Sequence, residues 1–104
     1  MDIKAPVGRY AEVCRCDIDT DSVLKTVKYL QANNAPHEFR TTFCPELAAD
    51  DVFEIWSSVV KNSDFYLQQY RQVEGEGLPH PKEYVSAAAE RIRAAGGKCV
   101  VRGL

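Results

Sequence analysis

Apolar residues recur along this chain at two alternating periods. Val23, Leu24, Val27 and Leu30 form one helical stripe between Asp21 and Ala32, behind the N-cap candidates Asp19, Thr20 and Asp21. Asn33-Asn34 and Pro36 close that helix, because asparagine tolerates the left-handed backbone that ends a helix and proline cannot continue it. The period then drops to two. Glu38–Cys44 is rich in β-branched and aromatic residues, is closed by Pro45, and reads as a strand. Phe39, Thr41 and Phe43 share one face, and Arg40, Thr42 and Cys44 share the other. The phenylalanines suit a face packed on helices, which turns Arg40 and Thr42 to the opposite side.

The pattern repeats twice more. A helix from Asp51 to Lys61, with Asp50 as N-cap, carries Val52, Phe53, Ile55, Trp56, Val59 and Val60 as a wide apolar face. Asn62-Ser63-Asp64 breaks it before the strand Phe65–Arg71. A loop from Gln72 to His80 contains Gly75, Gly77 and Pro79. Pro81 takes the first helical position. The third helix presents Tyr84, Val85, Ala88, Ala89, Ile92 and Ala95, and stops at Gly96-Gly97. Lys98–Arg102 is the last strand.

Strand, helix and strand joined by short connections imply parallel neighbours and right-handed crossovers, at about 30 residues per step. The predicted class is α/β, with three to four parallel strands in sequence order. Asp2-Ile3-Lys4 reads as the end of one further strand, broken by Ala5-Pro6. The chain therefore reads as a single partial domain of a larger parallel α/β enzyme, beginning in mid-strand. Helices on one side leave the other side to Arg40, Thr42 and a glutamine of Gln68-Gln69, polar groups that suit a ligand-binding interior rather than a dry core. Sites in such proteins gather at the carboxyl ends of strands, where Lys4, Thr42 and Arg71 are placed. An open strand edge and an uncovered face predict self-association. The competing arrangement folds Val7–Ile18 over that face.

Composition removes several function classes. Hydrophobic residues make up 45% and charged residues 27%, and the net charge of -2 gives no attraction to nucleic acid or an anionic membrane. No run approaches the ~20 apolar residues of a membrane span, and the first residues form no secretory signal. A cytoplasmic setting is expected. The four cysteines include no C-x-x-C pair, so Cys14-Arg15-Cys16, Cys44 and Cys99 read as reduced thiols, the last two within strands. His37 and His80 fall in loops without partners at triad spacing. Gly75-Glu76-Gly77 lacks a phosphate-cradling pattern, and Trp56 belongs to a core stripe. No catalytic or metal-ligating residue is assigned.

Several strings in order carry a resemblance over nearly the whole chain. They are Asp2-Ile3-Lys4-Ala5-Pro6 with Tyr10 and Val13, Glu38-Phe39-Arg40-Thr41-Thr42, and Leu67-Gln68-Gln69-Tyr70-Arg71. Together they resemble the carboxyl half of radical S-adenosylmethionine activating enzymes. The nearest resemblance is to activating proteins of anaerobic ribonucleoside-triphosphate reductase, and pyruvate formate-lyase activating enzymes are more distant. The resemblance implies half of a partial (βα)6 TIM-like barrel. It implies an intact enzyme holding a 4Fe-4S cluster on a C-x-x-x-C-x-x-C loop, with S-adenosylmethionine on the open iron. A 5′-deoxyadenosyl radical then takes hydrogen from a glycine of a glycyl-radical enzyme, the partner.

That cysteine loop is not in this sequence, so these residues alone are expected to carry no cofactor and no activity. By the resemblance, Asp2 and Lys4 match a cofactor-contacting Asp-x-Lys, whose ammonium would pair with the methionyl carboxylate. Arg40, an internal strand residue with a costly charge, would meet a ligand carboxylate or ribose oxygen, or else Glu38 or a neighbouring-strand carboxylate. Thr42 lies on the same face. Arg71 falls where pyruvate formate-lyase activating enzymes carry a cofactor-contacting histidine; a solvent-facing arginine is the other reading. Alternatives from other classes are a stand-alone α/β interaction module without catalysis and an unrelated small α/β binding protein.

Overall fold

Alternation in the strands decides which side of the sheet the helices cover. The computed structural model describes residues 1–14, 19–32, 37–71 and 77–104. Strands β1 (Phe39–Phe43), β2 (Phe65–Gln69) and β3 (Cys99–Arg102) pair in parallel in the order β1-β2-β3. Phe39, Thr41, Phe43, Phe65, Leu67 and Cys99 are buried on one side with residues of the helices. This is the arrangement that the period-two pattern predicts, with each crossover placing the next strand beside the last.

The helices keep to that buried side. After a 3-10 turn at Val7–Arg9 come α1 (Tyr10–Cys14), α2 (Thr20–Ala32), α3 (Ala49–Ile55) and α4 (Lys82–Ala94). Asp19 caps α2 as expected. Its carboxylate accepts from the Asp21 and Ser22 backbone amides at 3.1 and 3.2 Å and from the Ser22 hydroxyl at 2.8 Å. The Ser22 hydroxyl contact is the chief reason its pKa is lowered. Val52 and Ile55 of α3 and Val85, Ala88, Ala89 and Ile92 of α4 seal the core.

Three local expectations give way to tertiary geometry. Asp50 is not the cap of α3. Ala48 occupies that position, and the Asp51 carboxylate reaches back to accept from its amide at 2.8 Å. Asp51 also takes Arg9 Nη1 at 2.5 Å, so the turn before α1 is fastened to the start of α3. Pro81 lies one residue before α4 as its N-cap rather than as its first residue. The apolar run after Ile55 continues as a π-helical turn, Trp56–Val60, closed when Lys61 N donates to Trp56 O at 2.7 Å. Gln31 of α2 donates to the Val59 and Val60 carbonyls at 3.1 and 3.2 Å, meeting acceptors that the end of that turn leaves open. The residues proposed to stop α2, Asn33-Asn34 and Pro36, lie outside the described residues.

The segment before Ala5 is one bridge wide rather than a strand. Asp2 pairs with Arg40 in parallel, with Ile3 N donating to Arg40 O at 2.7 Å and Arg40 N donating to Met1 O at 2.9 Å. Thr41 fixes it from below. It is fully buried, and its hydroxyl donates to Ile3 O at 2.7 Å. Replacing Thr41 by valine keeps the shape but leaves the Ile3 carbonyl short of a partner, which costs about 1–3 kcal/mol. The expected result in urea unfolding is a lower midpoint at unchanged slope, with faster amide exchange at Ile3. Wild-type exchange at Ile3 in a Thr41→Val chain would refute this anchoring.

Candidate ligand face

Among the described residues no helix covers the sheet face turned away from the core, and the register fixes what that face carries. Arg40 stands beside Tyr66 and Val100 in one row, and Thr42 beside Gln68 and Arg102 in the next. The Asp2–Arg40 bridge adds Asp2 to the first row. Lys4, two residues on, places its ammonium 3.2 Å from Asp2 Oδ2. The second carboxylate oxygen, Asp2 Oδ1, is buried without a hydrogen-bond partner. Four of the five cofactor-binding candidates, Asp2, Lys4, Arg40 and Thr42, therefore share one surface. Lys4, Arg40 and Arg102 bring cations to this surface beside the carboxylates of Asp2 and Glu38.

Arg40 corrects one expectation. Its central strand position suggests a buried charge in need of a partner. Because the face is open, Arg40 is exposed and its charge carries little desolvation cost. Glu38 is not its partner. Glu38 Oε1 lies 3.8 Å from Arg102 Nη1 instead. Arg71 stands apart from the other candidates, exposed and two residues beyond the end of β2.

The paired glutamines divide their work. Gln68 shares the open row with Thr42 and Arg102. Gln69 turns to local ties at the carboxyl end of β2, accepting from the Tyr70 amide and donating to His80 O, both at 3.0 Å. His80 then donates from Nε2 to Leu47 O at 2.7 Å and packs its ring 4.5 Å from Phe43 and 4.8 Å from Tyr84. The Tyr84 hydroxyl accepts from the Ala49 amide at 2.8 Å. This cluster locks the end of β1, the loop after it and residues 77–81 into one unit beside the open face.

Two open-face residues were not singled out from the sequence. Tyr66 and Arg102 make a guanidinium–aromatic stack, with Arg102 Cζ 3.7 Å from the ring centroid. The same period-two reading that sorted β1, carried across β2 and β3, identifies both. Of the proposed cover Val7–Ile18, the described part up to Val13 leaves this surface open, and residues 15–18 lie outside the described residues. Tyr10 is buried, its hydroxyl accepting from the Lys4 amide at 3.1 Å, while Arg40, Val100 and Arg102 stay exposed.

Two of the thiols, Cys44 and Cys99, belong to described side chains. Cys99 is buried at the start of β3, and Cys44 sits just past the end of β1 rather than within it. Burial pushes both thiols up to about 11, with Glu46 adding to the shift at Cys44. A thiol whose folded pKa is raised keeps its proton when the unfolded chain loses its own. Stability is therefore intact below the unfolded value near pH 9 and falls as pH rises from there toward 11. At pH 8 both should react with iodoacetamide at least about tenfold slower than in urea, since only the thiolate attacks. Equal rates in native and unfolded chain would contradict this. Cys16 lies outside the described residues. Among the described residues no three His, Cys, Asp or Glu side chains are grouped to hold a metal ion, and no helix is long and apolar enough to cross a membrane.

No family model and no solved structure matches the chain. One curated relative is a protein of Methanocaldococcus jannaschii named as a glycyl-radical enzyme activating enzyme, 31% identical over 93 residues. The alignment takes in 80% of this chain and 39% of the relative, so the chain spans about two fifths of the relative's length. Over most of its residues, this chain is similar to a glycyl-radical enzyme activating enzyme.

Proposed function

We propose that these residues form the carboxyl part of a radical S-adenosylmethionine activating enzyme, a single partial domain working in the cytoplasm on a glycyl-radical enzyme. Anaerobic ribonucleoside-triphosphate reductase is the partner that the sequence strings favour. The observation that carries the reading is the convergence of Asp2, Lys4, Arg40 and Thr42 on one uncovered sheet face. Sequence similarity to an activating enzyme supports it independently.

The face fits S-adenosylmethionine. The Arg40 guanidinium offers a carboxylate a planar fork of donors, and Lys4 brings an ammonium to the same surface from its contact with Asp2. The Thr42 hydroxyl can donate or accept. The described residues do not fit an iron–sulfur cluster, which needs thiolates at fixed positions. In this reading an amino-terminal part with the C-x-x-x-C-x-x-C loop supplies the cluster, covers the open face and pairs with the edge near Asp2. The bound cofactor supplies the chemistry that removes a hydrogen from the partner's glycine. Without that part, the open strand edge pairs with a second copy.

Anaerobic reconstitution with iron and sulfide tests this. The 104 residues alone should hold no stoichiometric cluster and cleave no S-adenosylmethionine. Mixed with an amino-terminal part that carries a C-x-x-x-C-x-x-C loop, they should support cleavage to methionine. Arg40→Gln should lower cofactor affinity about tenfold or more, through loss of charge-assisted hydrogen bonds. A stable one-cluster-per-chain product from these residues alone would overturn the division of labour. It would leave the stand-alone reading to be judged by whether the chain binds other proteins through the same face.

A further inference from the structure

Tyr66 is the aromatic side chain that the described strands present on the open face, and Arg102 lies across it. Arg102 belongs to the upper row with Gln68 and Thr42, whereas Tyr66 belongs to the row below. Its side chain therefore runs back along the sheet, stacks its guanidinium 3.7 Å from the ring centroid, and ends 3.8 Å from Glu38 ahead of β1. Each hold is weak. At 3.8 Å the ion pair is too long for a direct hydrogen bond, and both side chains are more than two fifths exposed, at 44% and 49%. Exposed pairs and exposed cation–π contacts each contribute about 1 kcal/mol or less.

The guanidinium is planar, and it occupies the space that another flat group would take on that ring. The chain can release it cheaply. Arg40, opposite Tyr66 in the register, brings a fork of donors beside the ring.

We propose that the face of Tyr66 beneath Arg102 is a stacking subsite for the base of a nucleoside ligand, and that Arg102 leaves Glu38 to close over that base as a movable cover. Stacked between ring and guanidinium, the base gains contact on both faces. The inference deepens the reading of the open face as an adenosyl site and rests on it. It adds Tyr66 and Arg102 as positioning residues for the base, distinct from Lys4 and Arg40, which hold the amino-acid end.

The test is a nuclear magnetic resonance titration of the 104-residue chain with three probes: adenosine, methionine and S-adenosylhomocysteine. Affinity of this part alone is expected in the millimolar range. Adenosine should shift the Tyr66 ring and the Arg102 Nε–H signals. Arg102→Ala and Tyr66→Leu should weaken adenosine and S-adenosylhomocysteine roughly tenfold, the size of one base–aromatic stack. Tyr66→Phe should keep the affinity, and methionine binding should not change in any of the three. Arg40→Gln should weaken methionine and spare adenosine. Glu38→Gln frees the cover and should tighten adenosine slightly, a change that a purely structural Arg102 would not give. If S-adenosylhomocysteine binds with full dependence on Arg40 and none on Tyr66 or Arg102, the subsite is wrong and the reading of the face stands. If none of the three probes binds, both are wrong.

Discussion

Replacing Phe43 by alanine should lower the unfolding free energy by about 4 kcal/mol, the ordinary cost of emptying a buried phenylalanine site. Phe43 is fully buried as the last residue of β1, and it carries the rings of His80 and Tyr84 at 4.5 and 5.6 Å. Those rings tie the loop after β1 to residues 77–81. The loss should therefore be felt as more than a cavity. Amide exchange should quicken at Leu47 and Ala49 before it does in β3. Urea unfolding measures the first effect and hydrogen exchange the second. A loss under about 1 kcal/mol would show that the carboxyl end of the sheet does not depend on this cluster.

Gly97→Ala should cost about 3 kcal/mol by the opposite route, overpacking. A Cβ there would stand 2.5 Å from Ile92 Cγ2, 2.5 Å from Trp56 Nε1 and 2.6 Å from Trp56 Cε2. Ile92 is fully buried in α4, and the indole is a rigid plate, so neither neighbour can yield by a simple rotation. The close approach lets α4 turn directly into β3, with Gly97 N donating to Ile92 O at 2.9 Å. Gly8→Ala is the matched control, because nothing lies within 4 Å of its added methyl. The control should unfold within about 0.5 kcal/mol of the natural chain. If the two substitutions cost the same, the packing of Trp56 on Gly97 is not what the structure describes.

The strands and their faces were legible because a half-covered sheet writes its burial into every second residue. Phe39, Thr41 and Phe43 could be separated from Arg40 and Thr42 without knowing any contact, and the parallel order followed from the crossovers. What escaped depends on residues far apart in sequence. The cap of α3 is settled by Arg9 reaching Asp51 over 42 positions. The π turn is met by Gln31 from another helix. The tie from His80 to Leu47 crosses 33 positions. The candidate site was half legible. Lys4, Arg40 and Thr42 stood out by residue type and strand position, and Asp2 by its motif. Arg102 and Tyr66 did not, since a surface arginine and a strand tyrosine look ordinary until register sets one over the other.

The central claim is that the uncovered sheet face receives an adenosyl amino acid. The most direct measurement is a chemical-shift map of the wild-type chain with S-adenosylhomocysteine. The account predicts changes concentrated on Asp2, Lys4, Arg40, Thr42, Tyr66 and Gln68, saturating together as one site. Changes confined to the outer surfaces of α2 and α4, or no saturable change at millimolar ligand, would contradict it.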